Sequence, residues 1–270
     1  MVAGRVRVRQ LSVPAEVNPL SEMDFFRQND RGLLRLPSVD STNAEALRRA
    51  AAGERGPLWI LADVQTAGRG RAGRSWVSEP GNLHASLLVT LSAPAPKAYQ
   101  LSLVTGVAVY DAIRNAMQPA PAALRLKWPN DILIGAEKAG GILIESTSSA
   151  AGLCAVVGIG IDIARTPPSL DRPATHLAAH GACPAPDELL AHIAAAAEDW
   201  LATWDEGRGF DAIRNAWLKR AHPIGERMSI DTGAERIAGA FHGLDDDGAL
   251  VLDTEAGARR FTFGDVSLAR

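Results

Sequence analysis

The segment Gly68-Arg69-Gly70-Arg71-Ala72-Gly73-Arg74 constrains the fold more than any other. Its three guanidinium groups cannot all be buried without anionic partners. Its three glycines let the backbone adopt unusual angles and approach a ligand closely. The segment is therefore a loop, and the apolar runs on either side, Leu58 to Val64 and Leu83 to Leu91, read as strands. It also matches G-x-G-x-x-G, which in a dinucleotide-binding fold opens a helix and precedes an acidic residue about 20 positions on. Here Ser75-Trp76 leads through Pro80-Gly81 into a strand, and no Asp or Glu occurs between Gly81 and Lys97. Presentation of Arg69, Arg71 and Arg74 suits a ligand bearing phosphates and a carboxylate. The competing reading is a solvated basic surface loop. Trp76 is expected to anchor the loop in the core and not to face a ligand.

The remaining pattern alternates helices and strands. Thr42 and Glu45 have capping-box spacing ahead of Ala46, Leu47 and Ala50, so a helix is expected between Val39 and Gly53. A long amphipathic helix is expected over 97–118. Short strands follow at Leu124–Trp128, Ile132–Ile134, Gly141–Thr147 and Leu153–Ile163. Two helices come next, one from Asp187 to Trp204 and one carrying Phe210, Ile213 and Trp217. After Pro223 the texture changes to short alternating segments (Arg227–Ile230, Arg236–Phe241, Ala249–Leu252, Arg259–Phe263), with a turn at Asp246-Asp247-Gly248. The expected organisation is a poorly patterned segment 1–33, a main domain 34–222 and a small β module 223–270.

A second informative segment is Lys127-Trp128-Pro129-Asn130-Asp131, followed by Lys138-Ala139-Gly140-Gly141-Ile142-Leu143. If the short strands around Ile134–Lys138 pair, both lysines reach one region, where Lys138 beside two glycines can meet an anion as a point charge. A hairpin with exposed lysines is the plainer alternative.

Composition removes several classes of function. With 270 residues, 47% hydrophobic and 22% charged, the chain can bury a core without disulfides or a structural metal. A net charge of −3 does not suggest bulk nucleic-acid binding. Cys154 and Cys183 form no C-x-x-C pair, and Cys154 sits in an apolar run as a small core residue. No histidine falls in a metal motif, and no metal site is expected. No G-x-S-x-G occurs, which argues against a serine hydrolase. No apolar run reaches the roughly 18 residues of a membrane span, and no secretory signal is visible. The expected location is the cytoplasm.

The loop Gly68–Trp76 and the segments Lys127–Asp131 and Lys138–Leu143 occur in an order and at spacings that resemble the biotin–protein ligases. Ser41-Thr42-Asn43 and Gln65 stand where that family has the same residues. Gly158-Ile159-Gly160-Ile161 resembles its later strand signature, and Asp245–Leu250 resembles part of its small C-terminal domain. The likeness runs from about residue 34 to the end of the chain. Two departures are visible: Ala72 stands where many relatives have arginine, and Asp162 where many have asparagine.

The resemblance implies a fold of α/β (α+β) class: a mixed, largely antiparallel sheet with packing helices, as in class II aminoacyl-tRNA synthetases and biotin ligases, followed by an SH3-like β barrel. It implies two-step chemistry. The biotin carboxylate attacks the α-phosphate of ATP, and the biotinyl-AMP formed then acylates a lysine of a carrier protein. Lys138, Arg69 and Arg71 are the expected catalytic groups. Ser41, Thr42, Asn43, Gln65, Arg69, Gly70, Arg71 and Lys138 are expected around biotin. Arg69, Arg71, Arg74, Lys127, Trp128, Asn130, Asp131, Lys138 and Asp162 are expected around ATP. Mg²⁺ is expected to accompany the triphosphate.

The implied partner is the biotin carboxyl-carrier domain of an acyl-CoA carboxylase, and a homodimer is compatible with the resemblance. The stretch ahead of Ser41 is too short for a DNA-binding domain with a linker, so DNA and membrane are not expected partners. The alternatives are a lipoate–protein ligase, a biotin-sensing regulator and a non-catalytic binding module. The arginine-rich loop and the C-terminal module favour biotin over lipoate.

Overall fold

The chain enters its main sheet through a strand, a helix and a parallel strand: β1 (Leu33–Val39), α1 (Thr42–Ala51) and β2 (Leu58–Gln65). Parallel neighbours need a crossover, and α1 supplies it. The sheet then continues through β3 (Leu83–Leu91), β4 (Leu124–Lys127), β5 (Asp131–Ile134), β6 (Glu137–Ser149) and β7 (Gly152–Ile161). Its seven strands lie in the order β1-β2-β3-β7-β6-β5-β4, and every pair except β1·β2 is antiparallel. This computed structural model describes residues 32–149, 152–168 and 172–268. The segment 1–33 of the sequence reading therefore falls almost wholly outside the described residues.

Both faces of the sheet are covered, which is why its central strands are continuous apolar runs. In β2, Leu58 and Ile60 pack with Ala46 and Ala50 of α1, while Trp59 and Leu61 point into the opposite, larger core. That larger core is closed by α2 (Leu101–Ala116), α3 (Pro186–Trp204) and α4 (Phe210–Leu218). Cys154 is fully buried on the α1 side, as expected of a core residue.

The C-terminal strands β8 (Arg227–Asp231), β9 (Arg236–Leu244), β10 (Leu250–Thr254), β11 (Gly257–Phe261) and β12 (Asp265–Leu268) form an antiparallel sheet in the order β11-β10-β9-β8-β12. Met228, Ile230, Phe241 and Leu250 of this sheet belong to the same buried cluster as the helices of the main domain. Trp128 Nε1 also donates to Gly248 O (3.1 Å), within the turn Asp245–Ala249. The two units share one core.

Several local expectations need correction. Ser41, not Thr42, caps α1: its side chain accepts from Ala44 N, and Glu45 instead holds Arg48 and Arg49, each at 2.9 Å. Pro37 and the exposed positions of β1 mark an edge strand, which carries no strong alternation to read. The helix over 97–118 is a 3₁₀ turn, Ala95–Gln100, followed by α2, which is buried on most of its circumference and not amphipathic. The fifth C-terminal strand, β12, had no separate signal in its four residues.

Candidate active site

The β1–α1–β2 crossover places the start of α1 beside the end of β2, at the carboxyl ends of two parallel strands, where ligands of α/β folds tend to bind. Ser41 and Thr42 therefore meet Gln65. Thr42 N and Thr42 Oγ1 both donate to Gln65 Oε1 (2.8 and 3.1 Å). Beneath them, Ser86 Oγ of β3 contacts Thr42 Oγ1 (2.7 Å) and Asn43 Oδ1 (2.6 Å). Asn43 Nδ2 donates to Glu145 Oε2 of β6 (2.8 Å). The result is a buried polar corner whose oxygen acceptors are engaged. Among the described residues the Gln65 amide nitrogen has no hydrogen-bond partner.

The floor of the cleft is made by the alternation in β7. Even-numbered residues of β7 face α1: Cys154 and Val156 are apolar and lie under the helix, and Gly158 and Gly160 follow beyond its start. Ile159 and Ile161 point into the larger core. A methyl group on Gly158 would lie 2.4 Å from Asn43 Oδ1, and one on Gly160 would lie 2.5 Å from the Trp76 ring. Gly141 of β6, opposite Gly160, lies under the end of the Lys138 side chain, whose Nζ would stand 2.9 Å from a methyl group there. The glycines let side chains lie flat on the sheet where any Cβ would fill the space.

At the β4–β6 end, the carboxylate of Asp131 sits between two ammonium groups, Lys127 at 2.9 Å and Lys138 closer still. Burial opposes the charge on Asp131, yet the two lysines hold its carboxyl at about 2. Burial pushes the Lys138 ammonium below its ordinary value, and Asp131 opposes that shift. Asp131 thus orients Lys138 and offsets part of the cost of burying its charge. The pairing of β4, β5 and β6 brings both lysines together, as the spacing predicted.

The glycine- and arginine-rich loop covers this floor. It forms no helix beyond the short turn Arg71–Gly73, where Ala72 takes a left-handed φ of 53°. Arg69 Nη2 donates to Glu145 Oε2 (3.1 Å), and Arg74 Nη2 donates to Asp265 Oδ1 (2.9 Å). Arg71 Nη1 donates to Asn130 Oδ1 (2.8 Å), and its Nη2 to Gly264 O (3.0 Å). Burial pushes the Arg71 guanidinium down from its ordinary value, with Asp265 and Asp131 opposing. Lys127 Nζ also donates to Val266 O (3.0 Å). The C-terminal module therefore forms one wall, which the motifs of the main domain gave no means of reading.

All these parts surround one cleft of about 260 Å³. Ser41, Thr42, Asn43, Gln65, Arg69, Gly70, Arg71, Arg74, Lys127, Trp128, Asn130, Asp131 and Lys138 all line it. Asp162 does not. One residue past β7, its backbone N–H donates to Ala139 O (2.8 Å) and its carboxylate accepts from Asn82 Nδ2 (3.0 Å), which turns it into the protein. Burial raises its pKa to about 7. Trp76 also departs from expectation. It is half-buried, lines the cleft, and its ring centroid lies 5.9 Å from Lys138 Nζ. The alternation Gly158-Ile159-Gly160-Ile161 was the one signal that could have placed it there.

A buried lysine–carboxylate pair, a layer of arginines and a polar amide corner share one enclosed floor. This arrangement suits an enzyme that joins a carboxylate to a polyphosphate, where two anions must meet. The comparisons with known proteins agree. Residues 36–162 match the Biotin/lipoate A/B protein ligase family, and 224–269 match the Biotin protein ligase C terminal domain. The chain is 44% identical over 229 residues to a biotin–[acetyl-CoA-carboxylase] ligase of Paracoccus denitrificans, covering 82% of this chain and 94% of that one. It is 31% identical over 234 residues to the ligase of the same name from Mycobacterium tuberculosis, covering 84% and 85%. The biotin protein ligase of Aquifex aeolicus in complex with biotin and ATP superimposes with a TM-score of 0.73 at 28% identity, covering 89% of this chain and 99% of that one. The chain belongs to the biotin–protein ligase family.

Proposed function

We propose that this cleft binds biotin and ATP side by side, condenses them to biotinyl-5′-AMP, and passes the biotinyl group to a lysine of a carrier protein. The observation that carries this reading is the meeting of Lys138 and the arginine loop with the Thr42–Gln65 corner over one glycine floor. The Gln65 amide nitrogen and the hydroxyls of Ser41 and Thr42 suit the ureido ring of biotin, and Trp76 suits its apolar body. The carboxylate then points along β6 towards Lys138.

In the first step a carboxylate oxygen forms a bond to the α-phosphorus, the bond from that phosphorus to the bridging oxygen breaks, and pyrophosphate leaves. Charge concentrates where the two anions meet, and Lys138 stands there with its charge held by Asp131. Arg69, Arg71 and Arg74 exchange their protein partners for phosphate and carboxylate oxygens. Lys127, Trp128 and Asn130 shape the nucleotide side. Mg²⁺ accompanying ATP would neutralise part of the triphosphate charge. The loop and the β12 wall keep water from the mixed anhydride. In the second step the neutral amine of the acceptor attacks the acyl carbon, the amide forms, AMP departs and the amine loses a proton.

The acceptor is the carrier domain of a biotin-dependent carboxylase, and the reaction belongs to the cytoplasm, where such carboxylases work. No helix among the described residues is long and apolar enough to cross a membrane. The test is incubation of the protein with biotin, Mg·ATP and a biotin carboxyl-carrier domain. A mass gain of one biotinyl group is expected, and none is expected on a carrier whose acceptor lysine is changed to arginine. Labelling of both carriers alike, or of neither, contradicts the reading.

A further inference from the structure

The segment after β7 returns to the cleft through Lys138. Lys138 N donates to Pro173 O (3.1 Å), and Thr175 N donates to Lys138 O (2.9 Å), so 173–175 lies along the start of β6 as a parallel bridge. This fixes Arg172 beside the group on which the first step depends. The Arg172 side chain lines the cleft. Its Nε is buried and has no hydrogen-bond partner among the described residues, whereas Arg69, Arg71 and Arg74 are each held by a side-chain oxygen of the protein. The charge of Arg172 is felt at both Lys138 and Asp162.

A buried guanidinium donor without a partner is unfavourable in the empty protein. The Asp162 carboxyl, which feels this charge, has a pKa of about 7, so near neutrality it supplies only part of a counter-charge. A ligand oxyanion would complete both the hydrogen bonding and the charge. Two neighbouring cations lining one cleft match a phosphate better than a carboxylate. The phosphate chain carries several negative charges, and its oxygens fit the planar guanidinium fork.

We propose that Arg172 is a further phosphate-binding residue of this cleft, contacting the nucleotide beside Lys138. The inference rests on the ligase reading above and adds a nucleotide contact from the segment that follows β7.

The test compares wild type, Arg172→Ala and Arg172→Lys for ATP binding and biotin binding by calorimetry, and for kcat and KM of pyrophosphate release. In Arg172→Ala the ATP Kd is expected to rise at least about tenfold, with biotin Kd changed less than about twofold. Arg172→Lys, which also keeps the charge if the alanine variant folds poorly, is expected to recover part of the loss. An unchanged ATP Kd in both variants overturns the proposal. So does a biotin Kd that rises as much as the ATP Kd, which would assign Arg172 to the carboxylate or to holding the cleft together. Wild type that binds ATP but releases no pyrophosphate with biotin would defeat the ligase reading, while the ATP titrations would still decide the role of Arg172.

Discussion

Gly160 leaves no room for a side chain because the indole of Trp76 lies across it, and a Cβ there would stand 2.5 Å from the ring. The same ring flanks Lys138. Substitution Gly160→Ala should therefore displace Trp76 and loosen the roof over Lys138. The stability cost expected of such overpacking is about 1–3 kcal/mol. A fall in kcat/KM for biotin of about tenfold or more is expected, with a shift in tryptophan emission. Unchanged kinetics and emission would mean that the ring does not roof the reacting groups.

Gln65 uses its amide oxygen to hold Thr42, and in the proposed function its nitrogen donates to biotin. Gln65→Ala is expected to raise the KM for biotin about tenfold, the loss of roughly one hydrogen bond to a buried acceptor. The KM for ATP should stay within about twofold. Calorimetry with biotin alone checks this, and an ATP effect as large as the biotin effect would refute the placement of biotin at this corner.

Asp131 is the shared counter-ion of Lys127 and Lys138. Removal of one partner from a buried ion pair costs about 3–5 kcal/mol. Asp131→Asn should destabilise the fold by up to this amount in chemical denaturation. It should also lower the pKa of Lys138 further, because the one group opposing its burial is gone. The alkaline limb of the pH–rate profile, where a required ammonium loses its proton, would then move to lower pH. A variant as stable as wild type, with the same profile, would show that Asp131 does not hold Lys138.

Much of this site was legible because its chemistry sits in contiguous runs. The loop Gly68–Arg74 and the pairs around Asp131 declare themselves by charge and glycine content within a few residues. Trp76 was misplaced because a tryptophan beside a strand is usually core, and only the glycine alternation of β7, paired across from Gly141, makes room for it on the sheet surface. Gly264, Asp265 and Val266 could not be anticipated, since they reach Arg71, Arg74 and Lys127 from about 140–190 positions away. Arg172 gave no local signal at all. Its place depends on the backbone bridge to Lys138.

Asp162 is buried, and its pKa is raised to about 7. A carboxyl whose folded pKa lies above its unfolded value of about 4 contributes stability that is fully present below pH 4. That contribution is lost as pH rises through 7. Between these limits the loss is on the order of a few kcal/mol for such a shift. Asp162→Asn keeps the acceptor for Asn82 and removes the titration. Denaturant midpoints measured from pH 5 to 8 should fall with pH more steeply in wild type than in the variant. Parallel pH dependence of the two proteins would contradict the burial of an ionisable Asp162.

In the proposed mechanism Lys138 brings the biotin carboxylate and the ATP phosphate together. The most direct measurement is pyrophosphate release with Mg·ATP, biotin or lipoate, in wild type and Lys138→Ala. Biotin-dependent release in wild type is predicted, with no response to lipoate, and a rate at least about a hundredfold lower in Lys138→Ala. Release driven by lipoate instead of biotin, or an undiminished rate without Lys138, would contradict the account.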